Sequence, residues 1–192
     1  MKKIGLTLIF LVTAAFGTMV SFNGMDVTLN SNGLKVGDDA PAFVATTINF
    51  QDTVVGGKKD KIQVLAFVPS LDTNTCELET IAFNKKVAKM DNISVTILSK
   101  DLPFAQKNFC GDHKIKNVQT VSDYKHANNA KRYGTTITAP VFLEGFFARV
   151  VYIIDREGKI AYVQVVNEIA DEPNYDEVMR VLKKIDRHVK PQ

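Results

Sequence analysis

Two largely apolar runs organise the middle of the chain. Ile62 to Val68 is continuous and rich in β-branched residues, which predicts a strand buried on both faces, and it stops at Pro69. Ser94 to Ser99 predicts a second strand of the same kind. Between them, Asp72 or Thr73 can cap a helix whose buried face is marked by Phe83, Val87 and Met90. Strand, helix, strand is the order of a parallel unit with a right-handed crossover.

The flanking patterns extend this unit on both sides. Val20 to Leu29 alternates around Asn23-Gly24, a hairpin signal. Gly37-Asp38-Asp39-Ala40-Pro41 and the polar stretch from Gly56 to Lys61 break the chain. Short helices are expected over Phe104 to Cys110 and Asn128 to Tyr133. Arg149 to Ile154 and Lys159 to Val166 predict strands joined by Asp155-Arg156-Glu157-Gly158. After Pro173, the stripe Tyr175, Val178, Met179, Leu182 and Ile185 predicts a closing amphipathic helix. No internal repeat is visible. The sum is an α/β chain of thioredoxin-like architecture: a mixed central sheet flanked by helices, with an N-terminal β-hairpin.

The first residues have a different character. Lys2 and Lys3 precede the apolar run Ile4 to Phe16, and Ala15-Phe16-Gly17 supplies small residues for cleavage, so residues 1–17 read as a signal peptide ahead of one domain over 20–192. The run is too short to predict a membrane span. Cleavage would make the protein periplasmic or exported, with no stable membrane association afterwards. A true start at Met19 would make it cytoplasmic, and an uncleaved anchor is the third reading.

Composition narrows the function. With 192 residues, 45% apolar and 23% charged, the chain suits one globular domain and not a disordered segment. A formal charge of +3 without a basic stripe interleaved with aromatics excludes a nucleic-acid binder. Cys76 and Cys110 are too few for a disulfide scaffold and too far apart for C-x-x-C chemistry or a zinc knuckle. His113, His126 and His188 form no ligand pair, so no metal or other cofactor is expected.

The informative stretch is Pro69-Ser70-Leu71-Asp72-Thr73-Asn74-Thr75-Cys76, which leads from the end of a central strand into a helix. With Thr73 as N-cap, Cys76 falls in the first turn, where unpartnered backbone N–H groups and the helix dipole favour an anion. The thiolate is the nucleophilic form of cysteine. Open α/β sheets bind ligands at the carboxyl ends of their strands, where this cysteine should lie. The bland alternative is a small buried hydrophobe. Thr73, Asn74, Thr75, Glu77 and Glu79 around it suggest instead a segment that faces water or a site.

Pro69, Thr73 and Cys76 match the P-x-x-x-T-x-x-C signature of peroxiredoxins. Ser70 to Thr73, Asp101-Leu102-Pro103-Phe104-Ala105-Gln106, Phe109-Cys110-Gly111, Gly145 with Ala148-Arg149, and Glu168-Ile169 with Glu172-Pro173 resemble the thiol peroxidase branch, the atypical two-cysteine peroxiredoxins. The resemblance runs from about Val20 to the final helix. It implies that Cys76 is the peroxidatic cysteine, that Thr73 and Arg149 donate to the thiolate and peroxide, and that Pro69 shields the pocket. It also implies that Cys110 resolves the sulfenic acid as an intramolecular disulfide, that thioredoxin or a similar reductant recycles it, and that the protein is a homodimer. Ala139 to Glu144 and Phe146-Phe147 depart from the family pattern and are expected to shape the pocket wall.

Bland roles stand beside these. Thr73 can be an N-cap alone. Arg149, at a strand start, can be a solvated edge residue. Asp112 and His113 can tune the Cys110 thiol or belong to a surface turn. A non-enzymatic thioredoxin-like domain with a structural Cys76–Cys110 disulfide is a second function class. A thiol–disulfide oxidoreductase is a third, though Thr73 stands where its first cysteine would be.

Overall fold

The computed structural model describes residues 19–125 and 130–187, so the leader expected over residues 1–17 and the start of the helix expected from Asn128 lie outside the described residues. The described residues open with β1 (Met19–Phe22) and β2 (Met25–Leu29). They pair antiparallel across Asn23 and Gly24, whose φ values of 52° and 76° make the type I′ turn that an Asn-Gly pair favours. Next come β3 (Phe43–Thr47), β4 (Asp52–Val55), β5 (Ile62–Phe67), α1 (Asn74–Lys86) and β6 (Ile93–Ser99). Then follow α2 (Pro103–Asp112), β7 (Gln119–Ser122), β8 (Ile137–Ala139), β9 (Val150–Ile154), β10 (Ile160–Val165) and α3 (Tyr175–Arg187). A 3₁₀ turn over Ala130–Tyr133 stands within the helix expected there.

Seven strands form the central sheet in the order β10-β9-β5-β6-β7-β3-β4. β5, β6 and β7 run parallel, and the other pairings are antiparallel, so the sheet is mixed and thioredoxin-like as expected. Every residue of β5 is buried. Side chains alternate across a strand, so β5 feeds two cores at once. Ile62, Val64 and Ala66 join α1 and α3 through Phe83, Val178 and Leu182. Leu65 and Phe67 point the other way, into a cluster with Val27 and Leu29 of the hairpin, Tyr133 and Phe147. Burying a side chain such as Phe83 contributes about 1.5–3 kcal/mol.

β3, β4, β7 and β8 had no counterpart in the hydrophobic pattern. Each has three to five residues, and β4 and β7 begin on exposed positions, so their identity comes from pairing with a neighbour and not from an apolar period. The helix after Thr73 also differs from its expected form. It ends at Lys86, with Val87 as its C-cap and Met90 in the turn beyond. Its buried face is Cys76, Glu79, Thr80 and Phe83, which mixes polar and apolar groups.

Candidate active site

Parallel β5 and β6 deliver the Pro69–Thr73 loop and the start of α1 to the carboxyl end of the sheet. Thr73 holds the N-cap position in extended backbone. Its hydroxyl does not cap the helix: it donates to the Ser70 carbonyl at 3.1 Å. Cys76 is the third helical residue, and its side chain is 0% exposed. The polar neighbours therefore do not mark a solvent-facing thiol. Glu79, one turn on, is also 0% exposed.

Arg149, immediately before β9, explains how two such groups share an interior. It is 1% exposed, which overturns the reading of a solvated edge residue. Its guanidinium uses three nitrogens on three partners. Nη2 donates to Cys76 Sγ at 3.4 Å, Nη1 to Glu79 Oε2 at 2.5 Å, and Nε to the Ile169 carbonyl at 3.0 Å. Burial pushes the Glu79 carboxyl up to about 7 against the pull of Arg149. Burial also works to lower the Arg149 guanidinium, but Glu79 and then Cys76 outweigh it and raise its value. The arginine thus stays charged at neutral pH in a site that excludes water. Sequence reading missed Glu79. The signal was available in its spacing, since i and i+3 share a helix face and Cys76 was already singled out.

A cavity of about 320 Å³ opens beside Arg149. Pro69, Thr73 and Arg149 form part of its lining. Phe22, Ile137, Leu143, Phe146 and Ile169 make an apolar wall, so the 139–147 segment shapes the pocket through Leu143 and Phe146. Phe147 turns inward instead, packing edge-on against Phe67. Cys76 lies behind this lining, reached through Arg149.

The 167–170 segment fastens the hairpin to the site. Glu168 accepts the Ser21 hydroxyl at 2.9 Å and the backbone N–H groups of Asn23, Gly24 and Ala170 at 2.9, 3.1 and 3.0 Å. Ala170 also accepts the Thr75 hydroxyl at 2.8 Å, tying in the first turn of α1. Burial works to raise the Glu168 carboxyl, but the backbone donors of Ala170, Gly24 and Asn23, with Ser21, hold it at about 2 instead of its ordinary 4.5. A depressed carboxylate contributes stability that is complete above the unfolded value and is lost as pH falls through the folded one. Glu168→Gln should therefore melt below wild type at pH 6, and that gap should close as pH is lowered from 4.5 toward 2. Thermal unfolding of both proteins across this range is the check; a gap independent of pH would remove Glu168 as the clasp.

Cys110 stands apart from this cavity. It is half-buried on α2, with Sγ 3.3 Å from the Thr120 hydroxyl of β7, and burial raises its thiol against that hydrogen bond. Both cysteines are free. A separate groove of about 500 Å³ is lined by Ser70, Asp72 and Glu77 near the start of α1 and by Asp101, Phe109 and His113 on and beside α2. His113 faces Glu77 across it at 3.4 Å and stacks on Phe109, while Asp112 is exposed at the end of α2.

A thioredoxin-like sheet that buries a cysteine against a charged arginine, beside a small cavity, defines a thiol-dependent redox protein. The Redoxin family pattern matches residues 35–179. A thiol peroxidase of Aquifex aeolicus is 49% identical over 86% of this chain and 97% of its own length. One from Clostridium acetobutylicum is 38% identical over 84% and 95%. The crystal structure of a peroxiredoxin-like protein from Aquifex aeolicus superposes with a TM-score of 0.85 at 48% identity, covering 90% of this chain and 99% of that one. The chain belongs to the peroxiredoxin family, as a thiol peroxidase that reduces peroxides through a thiol. No helix among the described residues is long and apolar enough to cross a membrane.

Proposed function

We propose that Cys76 is the thiol that attacks the peroxide and Cys110 the thiol that regenerates it. The observation that carries this reading is the buried Arg149 guanidinium, which donates to Cys76 Sγ at 3.4 Å and also borders the cavity. A fixed cation beside the sulfur is already oriented for charge that develops on the peroxide oxygens. The Cys76 thiolate attacks one oxygen of ROOH, the O–O bond breaks, and the products are a sulfenate and ROH. Thr73 borders the cavity and can turn its hydroxyl from the Ser70 carbonyl toward the bound peroxide, and Pro69 keeps water from the sulfur. The Cys110 thiol then condenses with the sulfenic acid, giving a Cys76–Cys110 disulfide and water. A dithiol reductant of the thioredoxin type returns both thiols.

The apolar wall supports organic hydroperoxides as substrates alongside hydrogen peroxide. Family resemblance supports a homodimer. Residues 20–192 form the peroxidase domain in this reading, and the Lys2-Lys3 start with the run Ile4 to Phe16 supports export after cleavage near residue 17. Peroxide consumption by the purified protein with a dithiol reductant tests the central reading. Turnover with either peroxide, accompanied by a Cys76–Cys110 disulfide in the absence of reductant, is the expected result. Consumption without that disulfide would remove Cys110 from the cycle.

A further inference from the structure

We propose that Asp101 is a positioning residue that latches the Cys76 loop to the Cys110 helix and thereby sets how often the sulfenic acid becomes a disulfide and not a sulfinic acid. The proposal rests on the assignment of Cys76 and Cys110 above. Asp101 lies between the end of β6 and the start of α2, and it lines the same groove as the loop that leads to Cys76. Its carboxylate brackets that loop: Oδ1 accepts the Ser70 hydroxyl at 2.6 Å and Oδ2 accepts the Leu71 backbone N–H at 2.7 Å. Its own backbone is held in turn. The Asp101 carbonyl accepts the Ser122 hydroxyl at 2.5 Å, and its N–H donates to Ser99 Oγ at 3.3 Å. Ser99 Oγ also accepts from the buried Gln106 side chain at 3.0 Å, and Gln106 is one turn before Cys110 on α2. One connected network therefore joins the Cys76 loop, the end of β6 and the Cys110 helix.

Disulfide formation strains this network. The two sulfurs now have different partners, Arg149 for Cys76 and Thr120 for Cys110. A bridge needs Cα atoms within about 7 Å and the Cβ vectors facing each other. Either the loop and first turn of α1 must leave their places, or α2 must leave β7, or both. The Asp101 bracket opposes the first of these movements and the Gln106–Ser99 bond the second, and the bracket is the firmer hold because charge-assisted hydrogen bonds in a partly buried setting are the stronger kind. The half-buried Glu77–His113 pair lines the same groove but is a near-surface contact of little strength.

Two reactions compete for the sulfenic acid. In one, Cys76–SOH and Cys110–SH give the disulfide and water. In the other, the Cys76 sulfenate and a second ROOH give the sulfinate and ROH. A latch that slows opening favours the second. Asp101→Asn preserves shape, and its amide can accept the Leu71 N–H while donating to Ser70 Oγ, so both bonds of the bracket persist as neutral ones and lose their charge assistance. The test is rapid quench after a fixed excess of hydrogen peroxide, followed by thiol blocking and mass spectrometry of the Cys76 peptide. Asp101→Asn should raise the ratio of disulfide to sulfinic acid about tenfold over wild type. Ser70→Ala, which removes one bond of the bracket, should raise it less but in the same direction, and it decides the matter if Asp101→Asn does not fold. Glu77→Gln should leave the ratio within about twofold. A latch with only a structural role would lower the melting temperature without moving this ratio. An unchanged or lower ratio in both folded variants overturns the proposal, as does an equal rise in Glu77→Gln. Failure of wild type to form the Cys76–Cys110 disulfide would instead overturn the cysteine assignment.

Discussion

Cys76→Ser should abolish peroxide reduction, whereas Cys110→Ser should permit one oxidation of Cys76 and then stop. The order of steps requires this difference. Only the sulfur beside Arg149 meets the peroxide, and the sulfur beside Thr120 enters after the O–O bond has broken. In Cys110→Ser, the stranded sulfenic acid should advance to sulfinic acid under excess peroxide. The chain contains no tryptophan, so rapid quench with mass spectrometry is the suitable readout. Reactivity at this position should fall by about 10⁴-fold or more, because a serine hydroxyl is scarcely ionised at neutral pH. Equal first-turnover rates for wild type and Cys76→Ser would end the assignment.

Arg149→Ala should slow that first oxidation by about 100-fold or more, the scale of losing one oriented donor from a site where charge develops. Arg149→Lys should also be impaired. A single ammonium cannot reproduce the planar fork that reaches Cys76, Glu79 and the Ile169 carbonyl together. Stability complicates the comparison, because removing Arg149 leaves the Glu79 carboxyl buried without its partner, a loss of about 3–5 kcal/mol when one member of a buried pair goes. Adding Glu79→Gln to Arg149→Ala should recover much of the stability and little of the rate. Second-order rates with hydrogen peroxide and an alkyl hydroperoxide, measured beside thermal unfolding, separate the two effects. A wild-type rate in folded Arg149→Ala would show that the guanidinium is a structural counter-ion only.

Both predictions depend on a site that the chain discloses unevenly. Pro69, Thr73 and Cys76 sit within eight residues, and helical N-terminal geometry is local, so their grouping follows from backbone physics alone. Arg149 is 73 residues from Cys76, and nothing local distinguishes it from a surface arginine. Its role became legible only through resemblance in sequence and through burial in three dimensions. Glu79 shows the opposite failure. As a charged residue near the helix start it suggested exposure, yet it is enclosed because Arg149 and α1 meet there. Charge predicts solvent only when no partner arrives from elsewhere in the fold.

The same division holds for the architecture. Ile62 to Phe67, Ile93 to Ser99, the Asn23-Gly24 turn and the stripe of α3 were determined by the sequence itself, because each is a local signal: a continuous apolar run, a pair of residues that tolerates positive φ, or a helical period. The tertiary structure alone decided β3, β4, β7 and β8, whose hydrogen bonds come from neighbouring strands. It also decided that the Thr73 hydroxyl serves Ser70 and not the helix end, that Glu168 clasps the hairpin, and that Asp101 spans the gap between the two cysteine segments. These contacts join residues whose partners are chosen by chain folding. A one-dimensional pattern records what a residue prefers, and only packing determines which preference is met.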